Sequence, residues 1–220
     1  MIKKENVDIN IIQKIAIYAL PVIFAITLHE AAHGYVAKYF GDGTAYMLGR
    51  VTLNPLKHID PIGTILVPLV SLWLGGILFG WAKPVPVNFS QLKNPKKDMF
   101  WVAAAGPAAN LFMIFLWAII ARLAGLIPDN SFAVPMTLMG QAGMVINAVL
   151  MVLNLVPLPP LDGGRIAVSL LPMPWAGYLA RIEPYGFMIL IALLLTGVLN
   201  AIIGPFINIT LQQVSNLFGV

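Results

Sequence analysis

The chain has 220 residues, no cysteine, a formal net charge of +4, 59% hydrophobic residues and only 10% charged residues. Its mean hydropathy of +0.86 excludes an ordinary soluble domain and indicates a polytopic membrane protein with short loops. The lack of cysteine excludes disulfides and thiolate ligands, so any metal must be held by His, Asp or Glu. The basic residues lie mainly between apolar segments, and the positive charge therefore does not predict nucleic-acid binding.

The first predicted element is a long membrane helix over 11–40 that contains an HExxH motif, HEAAH. Positions i and i+4 share one face of a helix, so His29 and His33 can bind one metal ion. Glu30 stands beside them, where a carboxylate can take a proton from metal-bound water. Ionisable side chains at membrane depth are costly, and their presence indicates a functional site.

The next apolar segment, 62–79, is about long enough to span a membrane but is interrupted by a proline and a pair of glycines. The segment is interpreted either as a re-entrant hairpin or as a full membrane span. In the second case the extended residues 77–88 would cross back to the side on which the span began. The segment 80–88 holds two prolines spaced by one valine, which favours an edge strand or a polyproline-like segment. The lysine-containing stretch 89–98 is predicted to be a solvated loop.

The second half of the chain is predicted to contain three membrane helices, over 100–126, 135–156 and 185–203. An interfacial tail helix is predicted over 205–220. Asn110 either bonds a neighbouring helix or takes a catalytic role. The predicted fold is an all-α polytopic membrane protein with its metal site between membrane helices. A re-entrant or extended segment separates the first and second core helices.

A catalytic zinc site needs a third protein ligand and an open position for water. His58 is the only other histidine, and its place beside Lys57 near a turn favours a surface or loop residue. No glutamate lies between Glu30 and Glu183, which excludes a thermolysin-like third ligand. Asp162 follows a broken membrane helix and precedes two glycines, where the backbone can approach other elements. Asp162 could instead be an ordinary aspartate of a turn, but we favour Asp162 as the third ligand.

Three motifs occur in a specific order, namely HEAAH at 29–33, GPAAN at 106–110 and NLVPLPPLDG at 154–163. Together they resemble the site-2 protease family of intramembrane zinc metalloproteases, and its compact prokaryotic members without a PDZ domain in particular. The resemblance implies one zinc ion bound by His29, His33 and Asp162. It also implies Glu30 as the general base and Asn154 as a residue that orients the substrate carbonyl or its oxyanion.

The resemblance further implies an endopeptidase that hydrolyses peptide bonds within or near transmembrane segments of membrane proteins. Its substrate would lie along the 80–88 segment. A single membrane-embedded metalloprotease domain would cover 1–220, with a core over 11–171 and a C-terminal helix and interfacial tail over 185–220. One alternative is a metal-binding transporter, but internal repeats and more charged residues at membrane depth would be expected of a transporter. The other is a catalytically inactive relative that only binds partners, and the loss of Glu30 would have indicated it.

The ligands also predict how the helices cross the membrane. His29 and His33 lie in the C-terminal half of their helix, and Asp162 lies just past the end of the 135–156 helix. They reach one depth only if both helices run in the same direction. The positive-inside rule then places the active-site end towards the cytosol of a prokaryotic cell membrane, with the N-terminus outside. The expected partners are a transmembrane protein substrate and the lipid bilayer, and not nucleic acid.

Overall fold

The structure of the protein is a computed structural model that describes residues 10–66, 83–127 and 131–220. Within these ranges the regular elements are all helical, and no strand is assigned. The interrupted segment 62–79 falls largely outside the described residues, which include only a π-helix over Pro61–Leu66. The choice between a re-entrant hairpin and a span therefore stays a prediction.

The first helix, α1 (Ile11–Tyr39), begins at a reciprocal side-chain cap. The Asn10 side chain accepts from the Gln13 N–H, and the Gln13 side chain accepts from the Asn10 N–H, each at 2.9 Å. The helix ends just before Gly41, whose φ of +111° lies in a region that favours glycine. The long helix predicted to carry the HExxH motif is confirmed.

A short α2 (Thr44–Met47) follows, and the next long helix, α3 (Pro95–Gly125), begins earlier than the predicted start at residue 100. Proline suits the first helical turn because it lacks an N–H to leave unpaired. Asp98 is buried, and its Oδ2 accepts from the Asn94 N–H at 2.7 Å. The solvated loop expected over 89–98 is therefore wrong over 95–98, because these residues already form the first turn of α3.

Five helices complete the described chain, namely α4 (Ala133–Asn154), α5 (Asp162–Leu170), α6 (Trp175–Ala180), α7 (Glu183–Leu195) and α8 (Val198–Phe218). The last two meet at Gly197, whose φ is +76°, and their axes bend by 82°. The helix expected over 185–203 therefore ends at Leu195. The tail expected from 205 onwards is part of α8.

In the part of the chain that the structure describes, three helices are long and apolar enough to cross a membrane, and they lie over Ile15–Tyr39, Pro95–Gly125 and Ala133–Asn154. The bent pair α7 and α8 makes a fourth candidate if the two helices form one span. These helices confirm an all-α polytopic membrane protein.

Glycines let α3 and α4 pack closely. A Cβ on Gly140 would lie 2.7 Å from the Cβ of Ala121, and one on Gly143 would overlap the Trp117 ring. Residue numbers rise along α4 as they fall along α3, so the two helices are antiparallel. Their shared core includes Met113, Ile114, Trp117, Met144, Ala148, Met151 and Val152, and α8 adds Leu199, Ile203 and Val214.

The contacts of α1 with α3 show the same antiparallel order. The Asn110 side chain reaches the Ala25 carbonyl, and the His33 ring reaches the Val102 carbonyl. Because α3 is antiparallel to both of its neighbours, α1 and α4 run in the same direction. This is the arrangement that brings the C-terminal half of α1 and the end of α4 to one depth.

Candidate metal centre

His29, His33 and Asp162 meet where α1 faces the start of α5. The two Nε2 atoms are 3.1 Å apart, and they lie 3.2 Å and 3.3 Å from Asp162 Oδ2. All three residues are buried, with exposed fractions of 8%, 8% and 7%. Among the described residues this is the group whose ligand atoms could hold a metal ion, all within 4.8 Å of one another.

The loop between α4 and α5 delivers Asp162 to this point. A Cβ on Gly163 would overlap the carbonyl of Leu155, and one on Gly164 would overlap the backbone nitrogen of Pro159. Only glycine permits such close approach of backbone to backbone. The two glycines after Asp162 therefore let the chain fold back tightly from the end of α4. A Cβ on Gly186 of α7 would likewise overlap the Pro159 carbonyl, so α7 packs directly on this loop.

Hydrogen bonds to the Nδ1 atoms of both histidines orient the rings so that their Nε2 atoms face the cluster. His33 Nδ1 lies 2.7 Å from the Val102 carbonyl, which can only accept, so Nδ1 carries the proton and Nε2 keeps its lone pair. His29 Nδ1 lies 2.6 Å from Asn110 Oδ1, which imposes the same tautomer. Metal-binding histidines commonly donate their other N–H in this way.

The residues present fit a zinc ion. Two imidazole lone pairs and a carboxylate oxygen converge, and their mutual repulsion is relieved by a cation. Zn–N bonds of about 2.0 Å in a tetrahedron place ligand atoms roughly 3.3 Å apart, close to the observed 3.1–3.3 Å. Asp162 Oδ2 is buried without a hydrogen bond. A Cβ on Gly106 would overlap both imidazoles, so a glycine in α3 is what leaves them room.

The charge of Asp162 also suits a ligand. Burial raises the pKa of its carboxyl group, but the hydrogen bonds and positive charge of His29 and His33, when these are protonated in the absence of a metal, lower that pKa more and hold it well below its usual range. A cation bound between the same side chains would favour the anionic carboxylate in the same way, and the anion is the form that binds a metal.

Glu30 follows His29 in sequence, yet it is not part of the ligand cluster. Its Oε2 accepts a hydrogen bond from the backbone N–H of Val85 at 2.7 Å. A Cβ on Gly34 would lie 2.9 Å from Val51 Cγ2 and 3.3 Å from Val85 Cγ1. A glycine directly after the HExxH motif thus lets the chain around Val85 approach α1. The carboxylate stands beside the metal site without being needed as a ligand.

The chain is 36% identical over 202 residues, 90% of its length, to "Putative zinc metalloprotease YwhC" of Bacillus subtilis, 89% of which is covered. The chain belongs to this family of zinc metalloproteases. It is also 34% identical over 180 residues to "Putative zinc metalloprotease Rip2" of Mycolicibacterium smegmatis, covering 81% of this chain and 66% of that protein. The Rip2 protein of Mycobacterium tuberculosis H37Rv is 31% identical over 183 residues, with the same coverage of 81% and 66%. No family model and no solved structure matches the chain.

Zinc is thus the metal that this metalloprotease uses, and its cluster supplies the His and Asp donors that zinc favours. Of the extended segment predicted over 80–88, residues 80–82 lie outside the described residues. The rest, residues 83–88, called here the 83–88 segment, is fixed by two buried charged side chains. Arg50 Nη2 donates to the carbonyls of Lys83 and Pro84 at 2.9 Å and 3.3 Å. At the other end, Asp42 Oδ2 accepts from the Asn88 N–H at 2.7 Å. No strand is assigned in this segment. Its described backbone hydrogen bonds run to the side chains of Arg50, Glu30 and Asp42 and to the His58 carbonyl, and they do not form a ladder with a neighbouring strand.

Two further residues of the metalloprotease lie outside the cluster. His58 lies in the turn directly after a 3₁₀ helix over Pro55–Lys57, which confirms a loop residue, but it is only 2% exposed and is therefore not on the surface. Its Nε2 is 2.9 Å from the Thr52 carbonyl, and its own carbonyl accepts from the Lys83 N–H at 3.0 Å. Asn154 lies in the last turn of α4 and donates from Nδ2 to the Leu150 carbonyl at 3.0 Å. Its role towards a substrate remains a prediction.

Proposed function

We propose that this metalloprotease is an intramembrane endopeptidase of the site-2 type, in its compact form without a PDZ domain. It hydrolyses peptide bonds within or near transmembrane segments of membrane proteins. The observation that carries the proposal is a buried His29, His33 and Asp162 cluster set among helices long and apolar enough to cross a membrane.

In this proposal His29, His33 and Asp162 hold the zinc ion, and Glu30 is the general base. When bound, zinc lowers the pKa of a water to about 7 and polarises a carbonyl. Glu30 takes a proton from the attacking water and gives one to the leaving amine as the peptide bond breaks. The Val85 N–H bonds to Oε2 of Glu30 and fixes the direction in which this carboxylate points.

The substrate must unwind before it is cleaved, because the amides of a membrane helix are paired with one another. The freed groups then need new partners, which an extended chain can find along an exposed backbone edge. We place the substrate beside the 83–88 segment because its ends are held firmly by Arg50 and Asp42. Asn154 would orient the substrate carbonyl, for which its amide must leave the Leu150 carbonyl.

We further propose that the active-site end faces the cytosol of a prokaryotic cell membrane. The parallel directions of α1 and α4 support a common depth for the ligands, and the distribution of Lys and Arg then sets the side.

The decisive experiment uses purified protein, reconstituted in liposomes with zinc and a panel of transmembrane substrates. The same peptide sequences offered as soluble, unfolded chains serve as the comparison. We expect cleavage of at least one transmembrane substrate, and we expect a zinc chelator to abolish it. Cleavage of the soluble chains alone would contradict the intramembrane assignment while leaving the metalloprotease intact.

A further inference from the structure

Two asparagines form a fully buried pair beside the zinc site, Asn110 on α3 and Asn147 on α4, each 0% exposed. Asn110 Nδ2 donates to Asn147 Oδ1 at 2.9 Å and, at a longer 3.3 Å, to the Ala25 carbonyl. Asn147 Nδ2 donates in turn to the Gly143 carbonyl at 2.8 Å. Polar groups at such depth depend on these partners, so the pair is a connected hydrogen-bond chain rather than two separate side chains.

The donors and acceptors in this chain permit one direction only. A backbone carbonyl cannot donate, so Gly143 requires the Nδ2 of Asn147 and leaves its Oδ1 facing Asn110. Asn110 must then turn its own Nδ2 to Asn147 and its Oδ1 to His29. An oxygen at that place requires a proton on His29 Nδ1, which leaves the lone pair on Nε2. The orientation of each amide thus follows from its partners and not from an arbitrary choice of atom names.

We propose that Asn147 is a positioning residue for zinc, acting through Asn110 on the tautomer of His29. The inference rests on the proposed zinc site and deepens it. A flipped Asn110 amide would turn its hydrogens to His29 Nδ1, move the ring proton to Nε2 and so block the metal-binding atom. Asn147 opposes this flip, because the flipped amide oxygen would face the Oδ1 of Asn147 and the carbonyl of Ala25, both acceptors.

The role proposed for Asn147 differs from that of residues that only stabilise α4. Asn147 contacts neither histidine in the described hydrogen bonds, so a direct effect on the metal is not expected. Thr137 is a matched control on the same helix, because its Oγ1 donates only to the Ala133 carbonyl one turn earlier, at 2.9 Å. Replacing either side chain removes one bond to α4, but only Asn147 is linked to His29.

The test measures the zinc dissociation constant of purified full-length variants in detergent, by competition with a chelator of known affinity. Loss of an outer hydrogen-bond partner typically weakens metal binding roughly 10- to 100-fold, and we expect about this effect for Asn147→Leu. Thr137→Val should bind zinc like the wild type. If the leucine variant does not fold, Asn147→Ala removes the same groups and decides the question.

A second background tests the route through Asn110. In an Asn110→Leu protein, adding Asn147→Leu should weaken zinc binding no further, because the link to His29 is already cut. A further loss of the same size would overturn the inference, and so would wild-type affinity in Asn147→Leu alone. Failure of the wild-type protein to bind zinc would instead overturn the proposed function.

Discussion

Glu30 and His29 are neighbours in α1, yet they have different partners and different proposed roles. His29 points at Asp162 and His33, whereas Glu30 bonds the Val85 backbone. A residue that serves as a base and one that serves as a ligand respond differently to substitution. Metal content and cleavage therefore separate the two roles.

Glu30→Gln keeps the shape of the side chain but removes the group that takes the proton. We expect at least a 100-fold loss of cleavage, the usual size for a general base, with one zinc ion still bound per chain. Asp162→Ala should lower both zinc content and cleavage, because it removes an anionic ligand. Elemental analysis and a cleavage assay on the same preparations check this. Cleavage by Glu30→Gln at the wild-type rate would rule out its role as base.

Gly106→Ala tests the close packing of α3 against the ligands. The added Cβ would overlap the rings of His29 and His33, so we expect a clear loss of zinc affinity. Gly125→Ala is the matched control on the same helix, since its Cβ would meet nothing within 4 Å. Zinc titration of both variants gives the answer. Equal affinity in the two proteins would show that the rings can shift without cost.

At this scale, side-chain patterns could be predicted and backbone partners could not. The spacing of His29 and His33 on a helix predicts that they share a face, and glycines after Asp162 predict a free approach. Val102 contributes only its backbone carbonyl, which every residue has. The residue type at position 102 therefore could not predict the contact with His33. The turn position of His58 could be predicted, but its burial could not, because its partners are the Thr52 carbonyl and the Lys83 N–H, both backbone groups.

Among the elements, the 83–88 segment connects the base to the loops around it. Arg50 and Asp42 come from turns after α1, far from this segment in sequence, so their contacts could not be predicted from local pattern. The prolines do exclude a regular helix. They do not indicate that the one N–H between them, on Val85, is directed at Glu30.

Replacing Val85 or Val87 with proline removes one backbone donor each, two residues apart. Val85→Pro takes away the donor to Glu30, so we expect slower cleavage of every substrate with unchanged zinc content. The Val87 N–H has no acceptor among the described residues, so Val87→Pro should affect only substrates that pair with the segment. Rates on a transmembrane and a short soluble substrate distinguish the cases. Equal rates for wild type and Val85→Pro would show that Glu30 needs no such support.

For the whole molecule, main-chain contacts place several loops at one end of the bundle. The Lys83 N–H bonds the His58 carbonyl, and the Lys93 N–H bonds the Phe40 carbonyl at the end of α1. Residues 57 and 96 should therefore lie on one side of the membrane. The length of α1 should place residue 3 on the other.

Single cysteines at Lys57, Lys96 and Lys3 can be labelled individually, because the chain has no cysteine of its own. In intact cells, we expect an impermeant thiol reagent to label position 3 and to reach positions 57 and 96 only after lysis. Labelling of 57 and 96 from opposite sides would contradict the common depth of the ligands. Labelling of both from outside would reverse the proposed orientation and keep the fold.

The three long apolar helices of the described residues and the common direction of α1 and α4 could be predicted, because apolar length and ligand depth constrain them strongly. The break at Gly197 could not, since the sequence on both sides is equally apolar and a helix through 203 satisfies the same pattern. One glycine with a positive φ ends α7 there. Tertiary packing of α8 on the core, through Leu199 and Ile203, then sets its direction.

The glycine turn that delivers Asp162 also has a consequence for biosynthesis. His29 and His33 are made early, but the carboxylate that completes their site follows more than half a chain later. A nascent chain that has not yet released this loop presents only two imidazoles, which is too few for a catalytic zinc centre. From the order of ligands along the polypeptide, we expect the protease to be inactive until the ribosome has synthesised the loop that carries Asp162.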